Sequence, residues 1–246
     1  MSFISDNTIS ALRECGTEEL PFYEGSLRAA CEAHPPPYGQ AWYGDRYREL
    51  AMEPEWLAGS LIANAEKEGE GSRKLWDLVA RTPDKTIAEA IRQHAIDESR
   101  HALLYIAMCN LVFPEAMDDR MRKYSEDISP HYSNSDHPLE TKKTTIENVI
   151  DELIQMNIGE IRTRIHQLLM GPVIKEYCLE ENQDRLKRIL NSLIIDETKH
   201  IQYTARLINE ASNKYNDLVI SATKVRLAEF NTITLKEVGE RQFVGE

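Results

Sequence analysis

Two short stretches, Glu98-Ser99-Arg100-His101 and Glu197-Thr198-Lys199-His200, carry the residue types best suited to chemistry. On a helix, a spacing of three puts a carboxylate and an imidazole on one face, one turn apart, where both can ligate one metal ion. A single Glu-x-x-His is common on charged helices. Two of them, far apart in the chain and each set in helical apolar periodicity, read as two halves of a metal site. Carboxylates with one imidazole per ion suit hard, redox-active iron or manganese.

The elements that must carry these residues are helices. Pro54 fits a first-turn position, and Leu57, Leu61, Leu75 and Val79 recur at helical spacing, which predicts a first bundle helix from Pro54 to about Ala80. A second starts near Pro83 or Asp84 and runs to about Phe113, with Ile87, Ile91, Glu98, Tyr105, Met108 and Val112 on one face. The polar stretch 114–143 is too long for a tight turn. A third helix spans Thr144 to Met170, bounded by Gly171-Pro172, and a fourth runs from Asn182 or Gln183 to Ala211. A further amphipathic stretch, Tyr215 to Leu235, follows. Two helix pairs joined by one long connection predict an all-α fold, a ferritin-like four-helix bundle with a long crossover between helices two and three and extra flanking helices. Nowhere does strand-like alternation persist.

A dinuclear carboxylate site in such a bundle takes one glutamate from each of two helices and a Glu-x-x-His from each of the other two. Helix one offers Glu66, Glu68 and Glu70. At about 100° per residue only Glu68 shares the stripe of Leu57, Leu61, Leu75 and Val79. Glu68 and Glu98 also lie equally far from Pro83, fifteen residues to either side. In helix three Glu160 shares the stripe of Val149, Leu153 and Met156; Glu152 is the rival, at a separation from Glu197 less suited to an antiparallel hairpin. Four glutamates and two histidines on apolar stripes would be costly to bury without cations to pair them.

This arrangement resembles the ferritin-like di-iron carboxylate superfamily, which includes rubrerythrins, ribonucleotide reductase small subunits and bacterial oxygenases. The resemblance covers roughly residues 54–211. It implies Glu68, Glu98, His101, Glu160, Glu197 and His200 as ligands of two iron ions, with manganese as the other candidate, and O2 as co-substrate. His94, one turn before Glu98, is either a further ligand or a partner that fixes one. A third histidine is similar to what the arylamine N-oxygenase group uses, but there the extra ligand belongs to the last ligand helix, where this chain has Leu193. Tyr105 and Tyr203 lie near the ligand level, as redox groups, hydrogen-bond donors or core aromatics. Asp97 and Asp196 precede the motif glutamates in equivalent positions and are set either to bond a neighbouring histidine or to face solvent. Arg164, one turn beyond Glu160, either orients a carboxylate or pairs elsewhere.

The 246 residues are read as a single domain: a wrap or lid over 1–53, the metal-binding bundle over 54–211, and a C-terminal helix and tail over 212–246. Weak helical signals lie near Thr8–Cys15 and Tyr23–Cys31. From His34 to Gly44, three prolines and two glycines read as helix-breaking, and the aromatics there predict an ordered segment packed on the rest. A net charge of −12 argues against nucleic acid or an anionic membrane as partner. The four cysteines form no Cys-x-x-Cys pair, so neither a zinc knuckle nor a rubredoxin-type iron site is indicated. With no leader-like N-terminus and no apolar run of spanning length, a cytoplasmic location is expected. The functional expectation is a dinuclear non-haem iron oxygenase or oxidase acting on a small organic substrate, fed by an external electron donor and working as a homodimer. The competing expectations are a rubrerythrin-like peroxidase or iron-handling protein, disfavoured by the missing cysteine site, and a non-enzymatic helical scaffold.

Overall fold

The computed structural model describes residues 2–119, 122–123 and 142–239, and every regular element among them is helical. In chain order the helices are α1 (Phe3–Glu14), α2 (Pro21–Ala33), α3 (Ala41–Ala51), α4 (Pro54–Arg81), α5 (Lys85–Val112), α6 (Ile146–Tyr177) and α7 (Gln183–Gly239), with short 3-10 turns at Pro37–Gly39, Pro114–Ala116 and Glu180–Asn182. None of the described helices is long and apolar enough to cross a membrane. Most of the polar stretch 114–143 lies outside the described residues.

Local chemistry explains the boundaries. Pro54 opens α4 at a position where its missing N–H costs nothing, and Asp84 caps α5, its carboxylate accepting from the backbone N–H groups of Thr86 at 2.8 Å and Ile87 at 3.0 Å. Within α7, Tyr215 has φ −123° and ψ 35°, outside the helical basin, so the run is two helices meeting at a break. That break falls between the fourth helix and the further amphipathic stretch expected from the sequence.

Two expectations fail. Helix three was to stop at Met170, but α6 passes through Gly171-Pro172 and reaches Tyr177. Proline removes one hydrogen bond, to the carbonyl four residues back, and that carbonyl belongs to Leu168, which is exposed and open to water. Residues 34–44 do not exclude helix either: after the three prolines and the 3-10 turn, α3 starts at Ala41 and runs through Gly44. Tyr43, Tyr47 and Ala51, at successive spacings of four, are all buried, and that burial outweighs the modest helix cost of one glycine.

The chain divides into two compact units. The first comprises Met1–Tyr47, Glu147–His166 and Glu197–Glu246; the second comprises Arg48–Ile146 and Gln167–Asp196. In the first, Tyr23 Oη donates to Asn157 Oδ1 at 3.0 Å, and Asn157 Nδ2 donates in turn to the Ile201 carbonyl and to Thr204 Oγ1. These buried polar links tie α2, α6 and α7 within that unit. Burial raises the Tyr23 phenol above its usual range, with the bond to Asn157 pulling the other way. The segment expected to pack through its aromatics does so: Tyr38 and Tyr43 are buried, and Tyr43 Oη lies 2.7 Å from His166 Nε2.

In the second unit α4 and α5 pack along each other through small side chains. Ala65, Ser72, Ala95, Ser99 and Ala102 are all buried, and Ser72 Oγ donates to the Ala95 carbonyl at 2.7 Å and lies 2.7 Å from Ser99 Oγ. The chain just before α6 is tied back to the end of α4: Lys143 Nζ donates to the carbonyls of Ala80 and Thr82, and the Thr144 N–H to that of Arg81. These carbonyls belong to the last turn and the cap of the helix, where no intrahelical donor remains.

Candidate metal centre

The second unit gathers four ligand-type side chains on one hairpin. On α4, Glu66 and Glu70 face solvent and Glu70 pairs with Lys74, whereas the Glu68 side chain is only 11 % exposed. On α5, His94, Glu98 and His101 are buried. His101 Nδ1 stands 3.7 Å from Glu98 Oε1 and 3.9 Å from Glu68 Oε2. His94 Nε2 stands 3.2 Å from the same Glu98 Oε1. Helical phase alone brings Glu98 and His101 together, and the α4–α5 packing delivers Glu68 to the same imidazole.

The opposite edge of His101 has its own partner. Nε2 lies 3.8 Å from Asp196 Oδ2, and Asp196 is buried, held by Arg100 Nη2 at 3.0 Å and by the Ser192 hydroxyl at 3.3 Å. Asp97 meets the same Arg100 Nη2 and stays partly exposed. Burial works against the Arg100 charge, and the hydrogen bonds and charges of Asp97 and Asp196 more than offset it, holding its pKa above the usual value. The two acids that precede the motif glutamates therefore differ: Asp196 backs a histidine, and Asp97 anchors the arginine that holds Asp196.

The first unit holds the second motif. His200 Nδ1 lies 3.5 Å from Glu197 Oε2, and both residues are buried. A carboxylate oxygen of Glu160 comes within 4.8 Å of a His200 ring nitrogen; no described cluster of ligand-type side chains includes Glu152. Arg164 does not reach a carboxylate: its Nε donates to Thr198 Oγ1 at 3.1 Å and its Nη1 to Asn7 Oδ1 at 2.8 Å. Burial among these neutral partners lowers its pKa.

The two motifs share a geometry. In each, the imidazole turns Nδ1 toward the glutamate three residues earlier, at 3.7 Å in one and 3.5 Å in the other. Metal–ligand bonds of about 2.0–2.2 Å place neighbouring donor atoms roughly 3.0–3.6 Å apart. The observed separations lie in or just beyond that span, and the donors are carboxylate oxygen and imidazole nitrogen, the set suited to iron, manganese or zinc. The buried His and Glu side chains include groups that could hold a metal ion.

Tyr105, on the stripe of Glu98 and His101, is a buried aromatic whose hydroxyl accepts from Gln167 Nε2 at 3.2 Å. Gln167 was not singled out from the sequence, and neither were Ser72 and Ser99. A period of small residues along both helices is the signal that could have found the serines. Comparisons with family models, with curated proteins and with solved structures gave no match for this chain.

Proposed function

We propose that the chain is a dinuclear non-haem metal oxidoreductase of the ferritin-like type, with Glu68, Glu98, His101, Glu160, Glu197 and His200 holding two iron ions, or manganese, in a four-helix bundle. The observation that carries this reading is the repeated geometry: two Glu-x-x-His pairs, each with Nδ1 turned to its own glutamate and a further carboxylate beside it. Bound iron would supply the electrons that reduce O2 and the oxidising power that acts on a small organic substrate. The protein's own part is positioning. Asp196 Oδ2 stands 3.8 Å from His101 Nε2, beyond hydrogen-bond length; closing that gap would let it accept the Nε2 proton, leave Nδ1 to the metal and fix the ring plane. Arg100 pairs with Asp196 and holds it in place. His94 either donates to Glu98 or joins it on the ion; its 3.2 Å approach to Oε1 serves both. Burial of the donors keeps bulk water from the carboxylates, which strengthens their hold on a cation. An external reductant would return the ions to the ferrous state, and a cytoplasmic homodimer is the working form we assign.

Anaerobic Fe(II) loading followed by metal analysis tests the reading. About two ions per chain are expected, with O2 uptake that depends on them. Less than one ion per chain would sink the proposal. Retention of metal and oxygen chemistry by Glu98→Ala would show that the centre has been placed on the wrong residues.

A further inference from the structure

The carboxylate of Glu98 lies against a glycine. Its Oε1 faces His94 and His101, while its Oε2 is turned toward α4, where a Cβ on Gly71 would stand only 3.2 Å away. That is inside ordinary van der Waals separation, so any side chain at 71 would displace the carboxylate by a few tenths of an ångström. Backbone conformation does not call for glycine here: among the described residues only Gly16 has positive φ, and glycine is less favourable than alanine inside a helix. Gly59, on the same helix, meets nothing within 4 Å of its would-be Cβ. Gly59 and Gly71 thus carry the same local cost in α4, but of this pair Gly71 alone adjoins a candidate ligand.

We propose that Gly71 is a positioning residue for Glu98. By leaving room for Oε2 against α4, it turns Oε1 toward the two histidines and selects the oxygen that Glu98 offers to a cation. A methyl group at 71 pushes Oε2 off α4 by a few tenths of an ångström and so disturbs the approach of Oε1 to His94 and His101. The inference rests on the metal reading above and adds what that reading does not contain, namely which edge of Glu98 ligates and what holds it there.

Co(II) is the probe, titrated anaerobically into the metal-free full chain, because its visible absorption bands report ligand geometry as well as affinity. Gly71→Ala is expected to weaken Co(II) binding about tenfold or more, the size of effect seen when a ligand loses its outer support, and to change the band shape. Gly59→Ala is expected to match the wild type in both. Both variants should keep wild-type helicity by circular dichroism without metal. In a Glu98→Ala background, where little Co(II) is expected to bind, the readout is thermal unfolding of the metal-free chain: any stability that Gly71→Ala loses beside Glu98 is expected to return there, because the group struck by the new methyl is gone. A Gly71→Ala protein with wild-type affinity and spectrum overturns the inference, as does a stability loss that persists undiminished in the Glu98→Ala background. A wild-type chain that takes up no Co(II) removes the metal reading itself, and the inference with it.

Discussion

Asp196 shows how much of a candidate metal centre lies beyond the ligand-type side chains themselves. Its carboxylate is buried, faces His101 Nε2 and is gripped by Arg100 and Ser192. Replacing Asp196 with asparagine keeps the shape and removes the charge, and metal affinity is expected to fall by about 10- to 100-fold in an isothermal titration. A loss below twofold would mean that His101 needs no such partner. Glu66→Ala should leave metal content unchanged, since that side chain points to solvent. The inward turn of Glu68 and the outward turn of Glu66 and Glu70 were legible in the sequence because helical phase is a local property. So was the pairing of Glu98 with His101 and of Glu197 with His200. The role of Asp196 stayed open because it depends on which helix comes opposite, and no local period encodes that. Gly71 was invisible for the same reason: a glycine in a helix reads as a cost until the group occupying its space is known.

At the level of helices, each boundary rests on a few groups that can be changed singly. Asp84→Ala removes two capping bonds at the start of α5 and is expected to destabilise the protein by about 1 kcal/mol in urea unfolding. An unchanged midpoint would show that the cap is redundant with packing. Pro172 interrupts α6, so Pro172→Ala restores a hydrogen bond to Leu168 and should stabilise by about 1–3 kcal/mol; destabilisation would mean that the ring packs in a way that outweighs the bond. Proline was the strongest stop signal available, and it was overruled here because it removes a single helical bond, at exposed Leu168. In α3 the breakers were read as one group. The prolines precede the helix, however, and Gly44 sits beside buried Tyr43. Pro54 and Asp84 were reliable marks because they satisfy or remove donors at a helix start, which is chemistry confined to one turn.

Across the whole molecule the four thiols differ by environment. Cys15 is exposed, while Cys31, Cys109 and Cys178 are buried. Burial pushes the Cys31 and Cys109 thiols up to about 11, so at pH 8 few of either are in the reactive thiolate form. A disulfide reagent added to the native protein should therefore titrate one thiol quickly, and all four after denaturation. More than one fast thiol would indicate that a buried segment opens readily. The spacing of the cysteines in the sequence could not order them by reactivity, because exposure follows from packing. The small side chains between α4 and α5 bear on inheritance. Surface positions of these helices can change freely over generations, but Ala65, Ser72, Ala95, Ser99 and Ala102 have no room to grow, and any lineage that keeps the hairpin must keep them small. The record of this protein's ancestry should be clearest along that seam, where selection acts on bulk rather than on charge.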